Sequence, residues 1–239
     1  ELCTAYTPDC HSAIFDVPTR ATFCAIAESS PMGKWIADAS GEGRGGFTTG
    51  GGTVAQGAVG LAMVLGCNPI SLIGQDLAFT DGRVYAHDSA YDFVSVNIDE
   101  QGACRFGNMK RKAGLLKHDV EAQDDQSRVT SAVWVDRWDG EGKVATWPAY
   151  AVFIDQYRDM GRYLAKRDVR LVNCTEGGAR IDGLEHLPFQ DFLANAATGS
   201  LDARTRILEA YDSFEPRTLS TYEEALAESR RLLTKVEGE

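Results

Sequence analysis

Basic side chains are in short supply: 24 Lys and Arg stand against 35 Asp and Glu in 239 residues, a formal charge of -11. That balance excludes a protein whose main task is to grip phosphate backbones or anionic lipid, so nucleic acid is not an expected partner. Cysteine is dilute as well. The six residues (Cys3, Cys10, Cys24, Cys67, Cys104 and Cys174) include no C-x-x-C pair and no histidine at zinc-finger spacing. This excludes a disulfide framework and predicts reduced thiols in a cytoplasmic compartment. No apolar run approaches the roughly 20 residues of a spanning helix, and no charged-then-apolar signal segment opens the chain. The first residue is Glu1 rather than methionine, and structured-looking sequence follows at once, so a fragment of something longer is expected.

What is present is the composition of a soluble globular protein, 44% hydrophobic and 25% charged. A chain of this length buries roughly 70–75% of the surface its unfolded form exposes, so ordinary packing suffices for stability. Lys110, Arg111, Lys112 and Lys117 concentrate part of the positive charge. They form either a solvated loop or a patch able to receive one anionic ligand.

Short apolar runs at 13–17 and 22–27 have the length and bounding of buried strands. Ser29 and Ser30 before Pro31 cap a helix that carries Met32, Trp35 and Ile36 and stops at Gly41. Residues 41–52 are too rich in glycine for helix or strand, and they lead into a helix with Val54, Ala58, Leu61 and Leu65 at helical spacing. Gly66 ends it, and 69–74 is a buried strand. From about 88 to 125 both periods fade, which predicts an insertion or lid rather than sheet core. A hairpin follows, with strands at 131–138 and 143–147, then an amphipathic helix at 148–166 burying Val152, Ile154, Tyr157, Met160 and Leu164. A strand at 169–174 and helices at 188–197, 202–211 and 222–236 complete the chain.

The strand, loop, helix, strand series predicts an α/β fold with a Rossmann-like parallel sheet flanked by helices. We expect one catalytic-type domain over 1–197, a lid and β-hairpin insertion at about 88–147, and a helical C-terminal extension over 198–239.

Three places can carry chemistry. A glycine loop leading into a helix offers free amides and the positive end of the helix dipole to an anion, and Gly50, Gly51, Gly52 and Thr53 fit that description. The alternative is a flexible turn with a good cap, since the segment is neither a P-loop nor a framed G-x-G-x-x-G. Gln75 and Asp76 follow a strand at its carboxyl end, the edge where open α/β sheets place ligands. Asp76 can accept from a ligand hydroxyl, act as a base, or bind its own loop's amides. Eleven residues on, His87 can serve as a general base or simply sit at the surface, and His118 competes for the same role. The turn Thr175, Glu176, Gly177 and Gly178 repeats the architecture after another strand. There Glu176 either meets a sugar hydroxyl or caps the following turn. Asp76 and Glu176 together are hard oxygen ligands of the kind magnesium takes.

The blocks Gly50-Gly-Gly-Thr-Val-Ala55, Leu65-Gly-Cys-Asn-Pro-Ile70, Leu72-Ile-Gly-Gln-Asp-Leu-Ala-Phe-Thr-Asp-Gly82 with Ala86-His87, and Asn173-Cys-Thr-Glu-Gly-Gly-Ala-Arg-Ile181 resemble the motility accessory factor family of flagellin glycosyltransferases. The resemblance runs over about residues 10–195. It implies a catalytic domain similar in fold to the bacterial sialyltransferases that use a CMP-activated donor. It also implies transfer of a nonulosonic acid, pseudaminic or legionaminic acid for example, to Ser or Thr of flagellin in the cytoplasm, with no cofactor required. On that pattern Gly50, Gly51, Gly52, Thr53, Gln75, Thr175, Gly177 and Gly178 would bind donor, and the base would lie among Asp76, Glu176 and His87. The related sialyltransferases use a histidine base and set tyrosines against the leaving phosphate; neither Tyr85 nor Tyr91 aligns individually with those tyrosines, so neither is assigned that role. The family's opening strand and Gly-Pro-Ser-Leu-like loop have no counterpart upstream of residue 10. Two other readings stand beside this one. The first is a pterin diphosphokinase moving pyrophosphate from ATP with magnesium on carboxylates such as Asp76; the second is a noncatalytic domain that binds flagellin.

Overall fold

The computed structural model describes residues 2–6, 10–24, 52–89, 92–107, 129–196 and 199–213, with Glu223 and Ala227. Outside the described residues lie the helix expected from Pro31, the glycine loop through Gly50 and Gly51, the basic cluster with His118, Tyr91, and most of the last expected helix. The chain is a mixed α/β protein that divides into two units. The first comprises Glu1–Gly50, Val54–Leu65 and Gly199–Glu239, and the second Gly51–Thr53 and Gly66–Thr198.

In the first unit, β1 (Cys3–Tyr6) and β2 (Ala21–Cys24) pair in parallel, Cys3 opposite Ala21 and Tyr6 opposite Cys24. The run at 13–17 is not the strand its composition predicts. Ser12–Asp16 is a 3-10 turn whose cap, His11, accepts from the Ala13 amide, and Phe15 stays 58% exposed. With β1 already paired to β2, the run packs through one ring contact, Tyr6 against Phe15 edge-to-face at 5.0 Å. Helix α1 (Val54–Val64) forms where the spacing predicts it, but the buried face is Gln56, Val59 and Gly60. Val54 is 93% exposed and Leu65 is also exposed. A helix of small apolar residues on all sides offers several equivalent stripes, so spacing cannot choose among them.

The second unit is built around a parallel sheet of β3 (Ile70–Leu72), β9 (Leu171–Asn173) and β10 (Glu185–His186), in the order β10-β9-β3. All three residues of β9 are buried, as a central strand's should be. Parallel pairing thus occurs in two separate small sheets. The region expected to be an insertion or lid supplies β4 (Ser95–Ile98) and β5 (Ala103–Gly107), which with β6 (Val129–Ser131) make an antiparallel sheet apart from the parallel one. Its inward residues Val96, Cys104 and Phe106 form a core with Phe79 and Ala145. The alternation there is only two or three residues deep on each strand, too short to register as a period. The hairpin of β7 (Val133–Asp136) and β8 (Lys143–Thr146) forms as predicted, with Asp136 and Lys143 opposite one another and ion-paired at 2.7 Å.

Helix α2 (Pro148–Ala165) starts on Pro148 and buries Ile154, Tyr157, Gly161 and Leu164; Val152 points outward, half-exposed. Helix α3 (Phe189–Ala196) closes this unit, and α4 (Ala203–Asp212), capped by Asp202, belongs to the first. There Asp212 ion-pairs with Arg20 at 2.7 Å.

His186 at the end of β10 is a structural group. Its Nε2 accepts from the Ile181 amide at 3.2 Å, so the ring proton sits on Nδ1, 3.0 Å from the Leu184 carbonyl it donates to. Burial, and then the nearby Arg180, push its pKa down. A folded-state pKa below the unfolded value gives stability that is complete above about pH 6.5 and is lost as pH falls below it. The thermal midpoint should therefore drop through that window. Replacing His186 with Asn should flatten this part of the profile, and an unchanged profile would remove the role.

Candidate functional site

The loop after β3 is held on two sides before it opens into a cleft. On one side the Thr146 hydroxyl donates to the Leu77 carbonyl at 2.7 Å, and the Phe79 amide donates to Ala145 O at 2.8 Å. This extends β8's edge by a pair of bonds and sends Ala78 and Phe79 into two cores. On the other side the Ala179 amide donates to Asp76 O at 2.7 Å, and Gly178, with φ +68°, lies flat against the Asp76 backbone. A Cβ at Gly178 would overlap Asp76 main-chain atoms. Glycine is required there for both conformation and contact.

Between these supports lies a cleft of about 530 Å³, within the usual range for small-molecule sites. One wall is Gly74, Gln75, Asp76, Leu77 and Ala78. The next is Thr80, Asp81, Arg83, Val84, Tyr85, Ala86 and His87. Thr53 and the α2 residues Tyr150 and Phe153 complete it. Thr53, Gln75, Asp76 and His87, predicted from separate stretches of sequence, therefore share one cleft. Leu77 and Asp81 adopt left-handed backbone, φ +48° and +54°, unusual for residues with a Cβ.

The electrostatics follow from packing. Asp76 opens onto the cleft, but the surrounding walls desolvate its carboxyl and push its pKa up. Tyr150 is pushed up to about 12 by burial and then by the neighbouring Tyr85 and Asp76. Its hydroxyl lies 3.4 Å from Val84 O. Tyr157, fully buried behind the wall, is likewise pushed up to about 12 by burial, opposed by a hydrogen bond with Thr53. Both phenols are therefore donors at neutral pH. His87 is largely exposed, and its Nδ1 lies 2.9 Å from Asp88 Oδ2. Among the described residues Arg83 makes no ion pair, and it is the cleft's one permanent cation. Its backbone bridges to Ser95.

The Thr175–Gly178 turn occupies a different place from the one its composition predicts. The Thr175 hydroxyl accepts from the Gln75 amide at 3.1 Å, and Glu176 Oε1 accepts from Phe189 N at 2.8 Å, capping α3. Thr175, Glu176, Gly177 and Gly178 are absent from the cleft wall, and of the four Thr175 and Gly178 brace it. Glu176 and Asp76 are thus not brought together in the cleft as a cation pair. Gly52 is described, its amide 3.5 Å from Gln156 Oε1. Sequence reasoning missed Arg83, Tyr150 and Phe153. The aromatic spacing 150, 153, 157 on one face of α2 was the available signal, but it is also the spacing of a core face.

The family model of the MptE-like 6-hydroxymethylpterin diphosphokinases matches residues 5–82. No curated protein matches the chain. Among solved structures, a Maf glycosyltransferase from Magnetospirillum magneticum AMB-1 is similar at a TM-score of 0.41 and 14% identity. That alignment covers 89% of this chain but 23% of the other.

Because Gly178 abuts the Asp76 backbone, Gly178→Ala should displace it and cost at least about 1 kcal/mol of stability from the left-handed φ alone. At Gly177 a Cβ meets open space, so Gly177→Ala should leave the unfolding midpoint near wild type. Equal denaturation curves for the two variants would overturn the bracing role.

Proposed function

We propose that this chain carries the donor site of a glycosyltransferase that moves a nonulosonic acid from a CMP-activated donor to a Ser or Thr hydroxyl of flagellin. The observation that carries this reading is the cleft that gathers Thr53, Gln75, Asp76 and His87 with Arg83, Tyr85 and Tyr150. Of the family-like blocks, 72–82 lines the cleft from Gly74 to Asp81, 173–181 holds the residues that brace it, and Thr53 stands for the first. In the reaction, the acceptor oxygen attacks the anomeric carbon as the bond from that carbon to the phosphate oxygen breaks. CMP leaves with the bonding pair, and the hydroxyl proton passes to a base. Asp76 suits that task because desolvation raises its basicity toward the working range, and His87 is the second choice. Arg83, the cleft's cation, suits the charge left on the phosphate.

A second reading is supported by the diphosphokinase match over residues 5–82. Pyrophosphate transfer from ATP needs magnesium, and Asp76 and Asp81 are the cleft carboxylates of the hard-oxygen type that would hold it. Magnesium bound there would offset the phosphate charges, while Arg83 would orient the transferred group.

Calorimetric titration with CMP, a CMP-nonulosonic acid and ATP, each with and without magnesium, separates these readings. Metal-independent CMP binding is expected; magnesium-dependent ATP binding would replace the first reading with the second, and binding of flagellin alone would leave a noncatalytic domain. With Asp76 as base, transfer should fall as pH drops through its raised pKa, because the protonated carboxyl cannot take the acceptor's proton. Asp76→Asn should cost roughly 10²-fold or more in turnover with CMP affinity retained. An undiminished rate would move the role to His87.

A further inference from the structure

Tyr157 is not in the cleft wall, yet it governs a residue that is. It is completely buried on α2, its hydroxyl lies 3.1 Å from Gln75 Oε1, and it shares a hydrogen bond with the Thr53 side chain. The orientation of the Gln75 amide follows from its other neighbour. Nε2 faces the Gly74 carbonyl at 3.4 Å, and a reversed amide would set two acceptor oxygens against each other while opposing a donor to the Tyr157 hydroxyl. A phenol has one proton to give. Tyr157 gives it to Gln75 Oε1 and accepts from Thr53, so the bonds run in one direction, Thr53 to Tyr157 to Gln75. The Thr175 hydroxyl takes the Gln75 backbone amide at 3.1 Å, which fixes the residue at its main chain as well.

With its carbonyl engaged by Tyr157 and one N–H directed at the Gly74 carbonyl, Gln75 keeps its second N–H for the cleft it lines. An N–H donor favours an anionic oxygen and gives nothing to a ligand N–H or to an apolar group. Resting on the donor-site reading above, we propose that Tyr157 is a positioning residue that locks the Gln75 amide with its N–H toward the cleft, where it donates to a phosphoryl oxygen of the CMP moiety. Tyr157→Phe keeps the ring and its packing but removes the lock, leaving the amide free to present either end.

The test is a double-mutant cycle on the full chain, read by calorimetry with CMP and with cytidine, which lacks the phosphoryl group. Tyr157→Phe should weaken CMP by about tenfold and leave cytidine unchanged, and in a Gln75→Ala background it should cost nothing further. Undiminished CMP affinity, an equal loss for cytidine, or an equal loss in the Gln75→Ala background would each overturn the proposal. If Tyr157→Phe does not fold, Gln75→Glu puts the question differently. Its carboxylate still accepts from Tyr157 but offers no N–H, so CMP affinity should fall by more than tenfold with the melting midpoint kept, and retained affinity overturns the assignment. A wild-type chain that binds neither CMP nor cytidine refutes the donor-site reading and the phosphoryl contact with it. The lock is then judged by 15N relaxation of the Gln75 side-chain amide, which should be rigid in wild type and loosened in Tyr157→Phe.

Discussion

The short stretch from Gln75 to Phe79 leaves the parallel sheet and is immediately taken up from both flanks. Ala179 and Gly178 close on Asp76 from the side of β9, while Thr146 and Ala145 bond Leu77 and Phe79 from the side of β8. Each of these bonds is worth about 0.5–1.5 kcal/mol net, but leaving a buried partner unmade costs about 1–3. The fully buried Thr146 hydroxyl therefore cannot release Leu77 cheaply. An ordinary loop is converted into a fixed rail, and the positions of Gln75 and Asp76 follow from it.

Rigidity of the rail explains the charge pattern beside it. Asp76 is anchored through its carbonyl while its side chain stays exposed at the cleft, where the neighbouring walls still desolvate the carboxyl enough to push its pKa up. The phenols of Tyr150 and Tyr157 are held in their protonated form by the same packing, one donating to Val84 O at the cleft and the other to Gln75 behind it. The ring cluster of Phe79, Phe106, Trp147 and Tyr150, with centroids 5.3–6.5 Å apart, ties that chemistry to the antiparallel sheet's core.

Much of this could be read from the residues. Continuous apolar runs marked β3 and β9, Pro148 marked the start of α2, and the glycine turn at 139–142 marked the hairpin. The position of Gln75 and Asp76 after a buried strand pointed to the cleft before any coordinates did. What could not be read has physical causes. The run at 13–17 carries strand-like composition, but β1 had already paired with β2. Strands β4 and β5 bury so few residues each that their alternation does not rise above loop sequence. Glu176 looked like a ligand-facing carboxylate because its value as a cap depends on Phe189, thirteen residues away, which only tertiary structure brings within reach. Tyr150 and Phe153 were hidden for the opposite reason, since an aromatic stripe looks the same whether it faces a core or a cavity.

The two long walls of the cleft differ in how their backbone is tethered. The Gln75–Ala78 wall is bonded on both sides; Thr80–His87 is held at its backbone by the Arg83 bridge to Ser95, a tight turn from Thr80 to Arg83, the Tyr150 hydroxyl on Val84 O and the Ser89 amide on Ala86 O, and Thr80, Asp81, Arg83, Ala86 and His87 are all exposed. Main-chain bonds carry the architecture of the first wall, and the side chains of exposed residues such as Asp76, Asp81 and Arg83 are what a ligand meets. Such a plan lets ligand preference drift while the architecture stays in place, because preference is written in side chains and architecture in the main chain.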